Sequence, residues 1–328
     1  MDANDAGHIP VLLNEVLCYF DLDGARPGLR VLDCTLGRGG HAERIIPLIG
    51  PGGVYIGLDL DAANLAYAGD RLKPIAERAG VALHLVNQSF AAASSVLREL
   101  GFDGVDRVLA DLGFASNQVD DPSRGLSFKH DGPLDMRLDQ ANPTTAADLV
   151  NRLGEQELAD VIFRFGEERL SRRIARKIVQ ARDERPISTT SELAGICRRA
   201  YGPRGSGRID PATRTFQALR IAVNGELDAL DALLGRLPRL VAEGGLVGVI
   251  SFHSLEDRPV KRALLDAERR DELERVTRKP VTATDTEQAQ NPRSRSAKLR
   301  VARRPGPPAR GRNKNPADRR PRETDETV

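Results

Sequence analysis

Four short apolar runs in the first third of the chain alternate with three segments of helical character. The runs end near Asp33, Asp59, Asn87 and Asp111, and the helical segments lie between them. Parallel strands must be joined by crossovers, which are usually helices, so this alternation is typical of a parallel sheet. It predicts an α/β protein whose strands end at one common edge, where sheets of this kind bind their ligands.

The alternation stops after Leu112 and resumes only at Arg214. The intervening segment is rich in helix formers and charged residues, which predicts an inserted all-helical domain. The sheet pattern then returns with a strand, GGLVGVISF, that ends near Phe252, and two late β-like segments predict an antiparallel edge around 275–279 and 297–302. The predicted domains are a sheet domain in two parts, 1–112 and 214–302, a helical substrate-recognition domain, 113–213, and a disordered basic tail, 303–328.

The tail carries a charge that the overall net charge of +2 hides. Residues 291–322 contain 12 Lys or Arg and one acid, Asp318, and the segment from Arg303 onward is rich in Pro, Gly and Arg. Such a composition buries too little apolar surface to fold, so the tail is predicted to be disordered. It is either an electrostatic arm for phosphate backbones or a solvated tail without a partner.

The first strand leads into a glycine-rich turn, VLDCTLGRGGHAERI, at residues 31–45. Gly37, Gly39 and Ala42 fit the pattern G-x-G-x-x-G/A, in which glycines let the backbone approach a nucleotide cofactor closely. By itself the pattern is compatible with the nicotinamide dinucleotide of an oxidoreductase and with the S-adenosylmethionine of a methyltransferase.

Two acids narrow this choice. Asp59 lies 19 residues after Gly40, where a carboxylate can accept hydrogen bonds from both hydroxyls of an adenosine ribose, although with Asp61 it could instead cap the following helix. Asp33, just before the turn, would repel a pyrophosphate but attract the ammonium group of S-adenosylmethionine. These residues favour methyl transfer, and the oxidoreductase stays the less favoured alternative.

Composition also restricts the class of protein. No apolar run approaches the roughly 18 to 20 residues of a membrane span, and the N-terminal segment MDANDAGHIP lacks the basic and apolar regions of a signal peptide. The cysteines, Cys18, Cys34 and Cys197, are too scattered for a zinc site or a disulfide framework. We therefore expect a cytoplasmic protein with reduced cysteines, no bound metal and no membrane partner.

Seven separated stretches occur in an order that is specific to one family. They are HIPVLLNEVL, DCTLGRGGH, DLGFASNQVDDPSRGLSFKHDGPLDMRLD, FGEERLSRRIARKIV, DPATRTFQALRIAVNGEL, ISFHSLEDRPVKR and NPRSRSAKLR. Between residues 8 and 302 the chain therefore resembles the RsmH (MraW) family, bacterial methyltransferases that modify N4 of a cytidine in the decoding region of 16S rRNA. The resemblance implies a class I methyltransferase fold, Rossmann-like with a mostly parallel sheet, interrupted by a helical domain. It also implies S-adenosylmethionine as cofactor, S-adenosylhomocysteine as product, and 16S rRNA of the small ribosomal subunit, not DNA, as partner.

The resemblance and the residues together predict the cofactor site. The resemblance implies contacts at Gly39, Gly40, His41, Asp59, Phe90, Asp111 and Gln118, and the residue argument adds Asp33 and Gly37. Simpler roles stay open for three of them: His41 as a surface residue, Phe90 as a core residue and Gln118 as a solvated loop residue.

The chain departs from the family's usual pattern at four positions. Phe114 and Ala115 stand where the family has Val and Ser, Asn117 where it has Pro, and Asp210 where it has His. None of these changes touches the cofactor glycines. They leave open a third class of function, a non-catalytic rRNA-binding or assembly protein.

Methyl transfer to cytosine N4 needs an acceptor for the proton that the amino group loses. The candidate acceptors are Asp111, Asp135 and His253. For the RNA, the absence of Trp argues against a broad aromatic platform, so phosphate contacts and shape should dominate recognition. The candidate cations for phosphate are Arg124, Arg137, Arg172, Arg173, Arg214 and Lys261.

Overall fold

A seven-stranded sheet forms the centre of the computed structural model, which describes residues 10–202 and 209–306. Its strands are β1 (Arg30–Asp33), β2 (Val54–Asp59), β3 (Ala82–Asn87), β4 (Val105–Asp111), β5 (Val241–Ser251), β6 (Glu274–Arg275) and β7 (Lys298–Arg303). The order across the sheet is β3-β2-β1-β4-β5-β7-β6. Strands β1 to β5 are parallel, and β7 is antiparallel to both of its neighbours.

The predicted fold class, α/β with a mostly parallel sheet, is confirmed, as is the antiparallel edge. The short strand β6 pairs with β7 and is the outermost strand on that side of the sheet. Strand β7 runs one residue into the predicted tail. The rest of that tail from residue 307 onward lies outside the described residues.

Helices cover the sheet and fill the long connection between β4 and β5. They are α1 (Leu13–Tyr19), α2 (Gly40–Ile49), α3 (Ala62–Ala79), α4 (Ala93–Glu99), α5 (Ser116–Asp120), α6 (Ala146–Arg152), α7 (Glu155–Gly166), α8 (Ser171–Glu184), α9 (Thr190–Tyr201), α10 (Thr213–Asn224), α11 (Glu226–Leu234), α12 (Leu237–Leu240), α13 (Ser254–Arg269) and α14 (Asp285–Gln290). None of the helices in the described ranges combines the length and the apolar character that a membrane span requires.

Both faces of the sheet are buried. Neighbouring residues of β1 point to opposite faces, so Val31 packs in one apolar cluster with α1, α2 and α3, and Leu32 packs in a second cluster with α4, α11 and α13. This two-sided burial explains why the strands are continuous apolar runs without alternation in the sequence.

A third apolar cluster lies away from the sheet and extends from Leu134 to Val223. It is formed by α6, α7, α8, α9 and α10, all of which follow β4 and precede β5. Helix α10 belongs to this cluster, although the predicted boundary between the helical domain and the second part of the sheet domain is at 213/214. The division into domains stays a prediction.

The connections of the sheet define where a ligand should bind. Strand β1 lies between β2 and β4, so the chain first builds the sheet outward on one side and then starts again on the other. A crevice opens at such a switch point, beyond the carboxyl ends of the strands. In this chain those ends are Asp33 and Asp111.

Candidate active site

The glycine turn between β1 and α2 needs glycine for two reasons. Gly37 and Gly39 have φ values of 54° and 82°, in the left-handed region that side chains disfavour. A Cβ on Gly39 would also lie 2.9 Å from Leu72, and one on Gly40 would lie 2.9 Å from Pro10. Over Gly37 the space is more open, because the nearest atom to a Cβ there is that of Ala115, 3.9 Å away. The turn therefore requires glycine through its backbone conformation at Gly37 and Gly39 and through close packing at Gly39 and Gly40.

Asp33 lies beneath this turn. Its side chain is 2% exposed, and its two carboxylate oxygens accept hydrogen bonds from the Tyr55 hydroxyl at 2.8 Å and from the Thr35 N–H at 3.1 Å. Burial raises the pKa of Asp33 to about 6. The carboxylate therefore fixes the start of the turn through the N–H of Thr35. A direct contact between Asp33 and the cofactor stays a prediction.

Asp59, at the end of β2, is bonded to the same turn. One carboxylate oxygen accepts from the Gly37 N–H and the other from the Asp61 N–H, both at 2.7 Å. Burial raises the pKa of Asp59 to about 6 as well. The cap of α3 is Asp61, which accepts from the Ala63 N–H, so the alternative of Asp59 as the helix cap is wrong.

Asp111, at the end of β4, is the third carboxylate at this edge. Its N–H donates to the Thr35 hydroxyl at 2.6 Å, and its Oδ2 lies 3.9 Å from Nδ1 of His41. Its Oδ1 is buried and has no hydrogen-bond partner among the described residues. Burial, together with the carboxylates of Asp33 and Glu256, raises the pKa of Asp111 well above its usual range.

His41 is not a surface residue, since it is only 7% exposed. Its Nε2 lies 3.1 Å from the carbonyl oxygen of Val11, which ties the first turn of α2 to the segment before α1. With Nδ1 directed toward Asp111, the ring connects two of the sequence motifs.

The electrostatics of these strand ends fit a cationic ligand. Asp33, Asp59 and Asp111 each have a raised pKa because burial disfavours their charged forms. A ligand with positive charge would offset that cost, and S-adenosylmethionine carries a sulfonium and an ammonium group. The unpartnered Oδ1 of Asp111 is a free acceptor for such a ligand. No group of three or more side chains that could hold a metal ion occurs in the described ranges.

Phe90 and Gln118 border the same edge. Phe90 begins a 3₁₀ turn after β3 and is partly buried against the second apolar cluster. Gln118 is 3% exposed, so the alternative of a solvated loop residue is wrong. Its side-chain oxygen accepts from the Ala115 N–H and its amide nitrogen donates to Asp61, both at 2.8 Å. The cofactor contacts of both residues stay predictions.

Arg124 connects the cofactor edge to the helical region, and its role was not predicted. Its guanidinium lies 2.6 Å from Asp61 and donates to the carbonyl oxygens of Arg137 and Leu138. Burial alone would raise the pKa of Asp61, but the hydrogen bonds from Gln118 and Arg124 lower it below its usual value. Asp61 is thus ionised and shared between two segments.

Two other residues of the site were also missed in the sequence. Thr35 joins β1 to β4 through its hydroxyl, and Tyr55 supports Asp33 from β2. Thr35 lies inside the glycine motif, and Tyr55 has a hydroxyl group in an otherwise apolar strand. Each of these features was a weak indication of a role in the site.

The other two candidate proton acceptors have different surroundings from Asp111. Asp135 accepts three hydrogen bonds from Arg137, at 2.9, 2.9 and 2.7 Å. Although burial raises its pKa, these bonds lower it below the usual value, which makes Asp135 a weaker base. His253 precedes α13, and its Nε2 lies 3.1 Å from Glu256 without hydrogen-bond geometry. The roles of all three stay predictions, and Asp111 is the one beside the glycine turn.

Comparison with known proteins finds relatives that match nearly the whole chain in sequence. Ribosomal RNA small subunit methyltransferase H of Sorangium cellulosum is 52% identical over 299 residues, which cover 91% of this chain and 91% of that protein. The protein of the same name from Acidobacterium capsulatum is 47% identical, with coverage of 90% and 97%. A family model described as the MraW methylase family matches residues 5–305. The chain therefore belongs to the MraW methylase family.

Proposed function

We propose that this chain transfers a methyl group from S-adenosylmethionine to the exocyclic N4 of a cytidine in the decoding region of 16S rRNA, in the small ribosomal subunit. As a member of its family it is an S-adenosylmethionine-dependent rRNA methyltransferase. Beyond this activity, we propose the acceptor atom, its position in the RNA and action in the cytoplasm. The names of the relatives support a small-subunit substrate.

We choose an amino nitrogen as the methyl acceptor because of the surroundings and the raised pKa of Asp111. An amino group must lose a proton when it is methylated, and a carboxylate whose pKa is raised is a stronger base than an exposed one. Asp111 combines a raised pKa with a buried, unpartnered oxygen at the end of β4. When bound, S-adenosylmethionine supplies a methyl group on a good leaving group. Asp111 would accept the proton, and the glycine turn would orient the reactants for in-line attack.

The experiment that tests this proposal identifies the methylated nucleoside. Purified protein is incubated with labelled S-adenosylmethionine and small subunits that lack the modification, and the rRNA is digested and analysed by mass spectrometry. N4-methylcytidine within the decoding region is expected. Label on another base or atom would contradict the proposed acceptor. RNA binding without any transfer of label to N4 of a cytidine would likewise contradict it.

A basic face of α8 is the best surface for the RNA backbone. Ile174, Ala175 and Ile178 are buried in the third apolar cluster, while the opposite face exposes Arg172, Arg173, Arg176 and Lys177. Such cations suit phosphate contacts that do not depend on sequence.

The other predicted phosphate ligands divide into two groups. The guanidinium groups of Arg124 and Arg137 are largely buried and paired with Asp61 and Asp135, so we assign them a structural role. Arg214 and Lys261 are exposed, and Arg214 also donates to the carbonyl oxygen of Glu167 at 3.2 Å, so Lys261 is the better candidate for RNA.

Replacement of both Arg172 and Arg173 by alanine should weaken binding to small subunits. If each contacts a phosphate, the slope of log affinity against log salt should become shallower by about 1.4 to 1.8. The rate at saturating subunits should not change. The matched control replaces Arg269 and Arg270 at the far end of α13, where the chain also exposes two arginines. An equal salt slope for both double variants would show that the α8 face is only solvated.

The affinity for S-adenosylmethionine should depend on pH because of Asp33 and Asp59. In the free protein the pKa of each is raised to about 6, so each is mostly protonated below pH 6 and ionised above it. A cationic ligand prefers the ionised forms. The dissociation constant should therefore rise as pH falls from 7 to 5, by up to about tenfold per pH unit for each proton that binding releases.

Calorimetric titrations at pH 5, 6 and 7, each in two buffers of different ionisation enthalpy, count the released protons. The control is Asp106→Asn, at the opposite end of the sheet, which should keep the same pH dependence. A dissociation constant and proton count that do not vary from pH 5 to 7 would contradict the electrostatic account.

A further inference from the structure

An exposed aromatic ring lies three residues beyond Asp111. Phe114 is 40% exposed, and it follows a turn in which Gly113 has a φ of 106°. A Cβ on Gly113 would lie 3.7 Å from the ring of Phe252, so the turn is packed against the end of β5. Single exposed apolar side chains are common on protein surfaces, so the exposure of Phe114 indicates a role only in combination with its place beside Asp111 and its fixed orientation.

The orientation of this ring is fixed from one side by a buried cation. The guanidinium carbon of Arg220 lies 4.4 Å from the centre of the Phe114 ring. Arg220 is 8% exposed and is itself held by Glu226, through hydrogen bonds of 2.8 and 2.9 Å. The cation therefore covers one face of the ring, and the exposed part of the ring remains available to another flat group.

We propose that Phe114 is a stacking platform for the acceptor cytosine and presents its N4 to Asp111. This inference rests on the proposed function. A base inside folded RNA must leave its stack before an enzyme can reach its amino group, and enzymes commonly replace the lost stacking with an aromatic side chain. Stacking on Phe114 would accept any base, since every base has a flat face, and the preference for cytosine would come from its amino group at Asp111.

Steady-state methylation of unmodified small subunits by wild type and four variants tests this role. Phe114→Ala should lower kcat/KM by about 10- to 100-fold, in line with the loss of one base–aromatic stack. Phe114→Tyr should stay close to wild type, whereas Phe114→Leu, which keeps apolar cover over Arg220, should resemble the alanine variant. The matched control is Phe163→Ala, which removes another exposed ring, 58% exposed on α7, and should leave the rate at saturating subunits unchanged.

A second measurement separates stacking from a structural role. The affinities of wild type and Phe114→Ala are compared on subunits reconstituted with either the target cytidine or an abasic nucleotide at that position. The two proteins should differ on the cytidine and agree on the abasic RNA, with equal affinity for S-adenosylhomocysteine throughout. Equal loss of affinity on the abasic RNA, or full activity of Phe114→Leu, would overturn the stacking role and make the ring only a cover for Arg220.

The outcomes also distinguish this inference from the function on which it rests. If wild type produces no N4-methylcytidine, the proposed function fails and the inference fails with it. If wild type produces N4-methylcytidine and Phe114→Ala does so with the same kcat/KM, the inference alone fails.

Discussion

Replacement of Asp111 by asparagine is expected to lower kcat for methyl transfer by about 10²- to 10⁴-fold, the usual contribution of a positioned proton acceptor. Asparagine has nearly the same shape, and its backbone N–H can still donate to Thr35. Its amide cannot take up the proton of the amino group. The measurement is the single-turnover rate on small subunits at saturating cofactor, so that any weaker cofactor binding does not enter the result.

The pH dependence of the rate provides the second part of this test. The raised pKa of Asp111 means that the wild-type rate should increase as the carboxyl group ionises, and this ionisation should vanish from the profile of Asp111→Asn. Asp106→Asn is the matched control, because Asp106 lies near the other end of the same strand and its carboxylate accepts hydrogen bonds from the backbone and the side chain of Arg30. A rate for Asp111→Asn within a few-fold of wild type would show that another group accepts the proton.

Asp59→Ala is expected to weaken S-adenosylhomocysteine binding by about 2 to 3 kcal/mol, roughly 30- to 150-fold in the dissociation constant. Two effects contribute in the same direction. If Asp59 binds the ribose as we propose, the ribose hydroxyls lose their charged acceptor. The glycine turn also loses the hydrogen bond from the Gly37 N–H that fixes its distance from β2. Calorimetric titration with S-adenosylhomocysteine measures the change.

The control for this variant is Asp106→Ala. Asp106 also accepts a backbone N–H, that of Arg30 at 2.7 Å, but at the opposite end of the sheet. Both variants should therefore lose thermal stability, while only Asp59→Ala should lose affinity for the ligand. If the two variants bind S-adenosylhomocysteine equally well, the ribose assignment of Asp59 is wrong.

The sheet could be predicted from the sequence because its signals are local. Each strand is an apolar run, and each crossover has its own helical pattern, so Asp33, Asp59 and Asp111 could be placed at strand ends without knowledge of any contact. The order of strands then brings these three carboxylates to one edge. The hydrophobic pattern and the direction of the strands were therefore sufficient to predict that these three residues lie at the same edge of the sheet.

The contacts that hold this edge together could not be predicted in the same way. Arg124 pairs with an aspartate 63 residues earlier, and no local pattern distinguishes it from the exposed arginines of α8. The choice of Asp61 over Asp59 as helix cap depends on where α3 begins, within two residues. One face of the Phe114 ring contacts Arg220, which is far along the chain and buried. Each of these depends on tertiary packing of segments that are distant in sequence.

Asp61 has a consequence for how the two ligands affect each other. It caps α3 two residues after Asp59, and it also accepts hydrogen bonds from Gln118 and from Arg124, which extends to the backbone of Arg137. Any ligand that moves Asp61 therefore acts on the segment that leads into the helical region. Thermodynamic linkage makes such an effect mutual: whatever factor the cofactor adds to the affinity for RNA, the RNA must add to the affinity for the cofactor. Binding of the cofactor and binding of RNA then form one thermodynamic cycle, and Asp61 is the residue that couples the two steps.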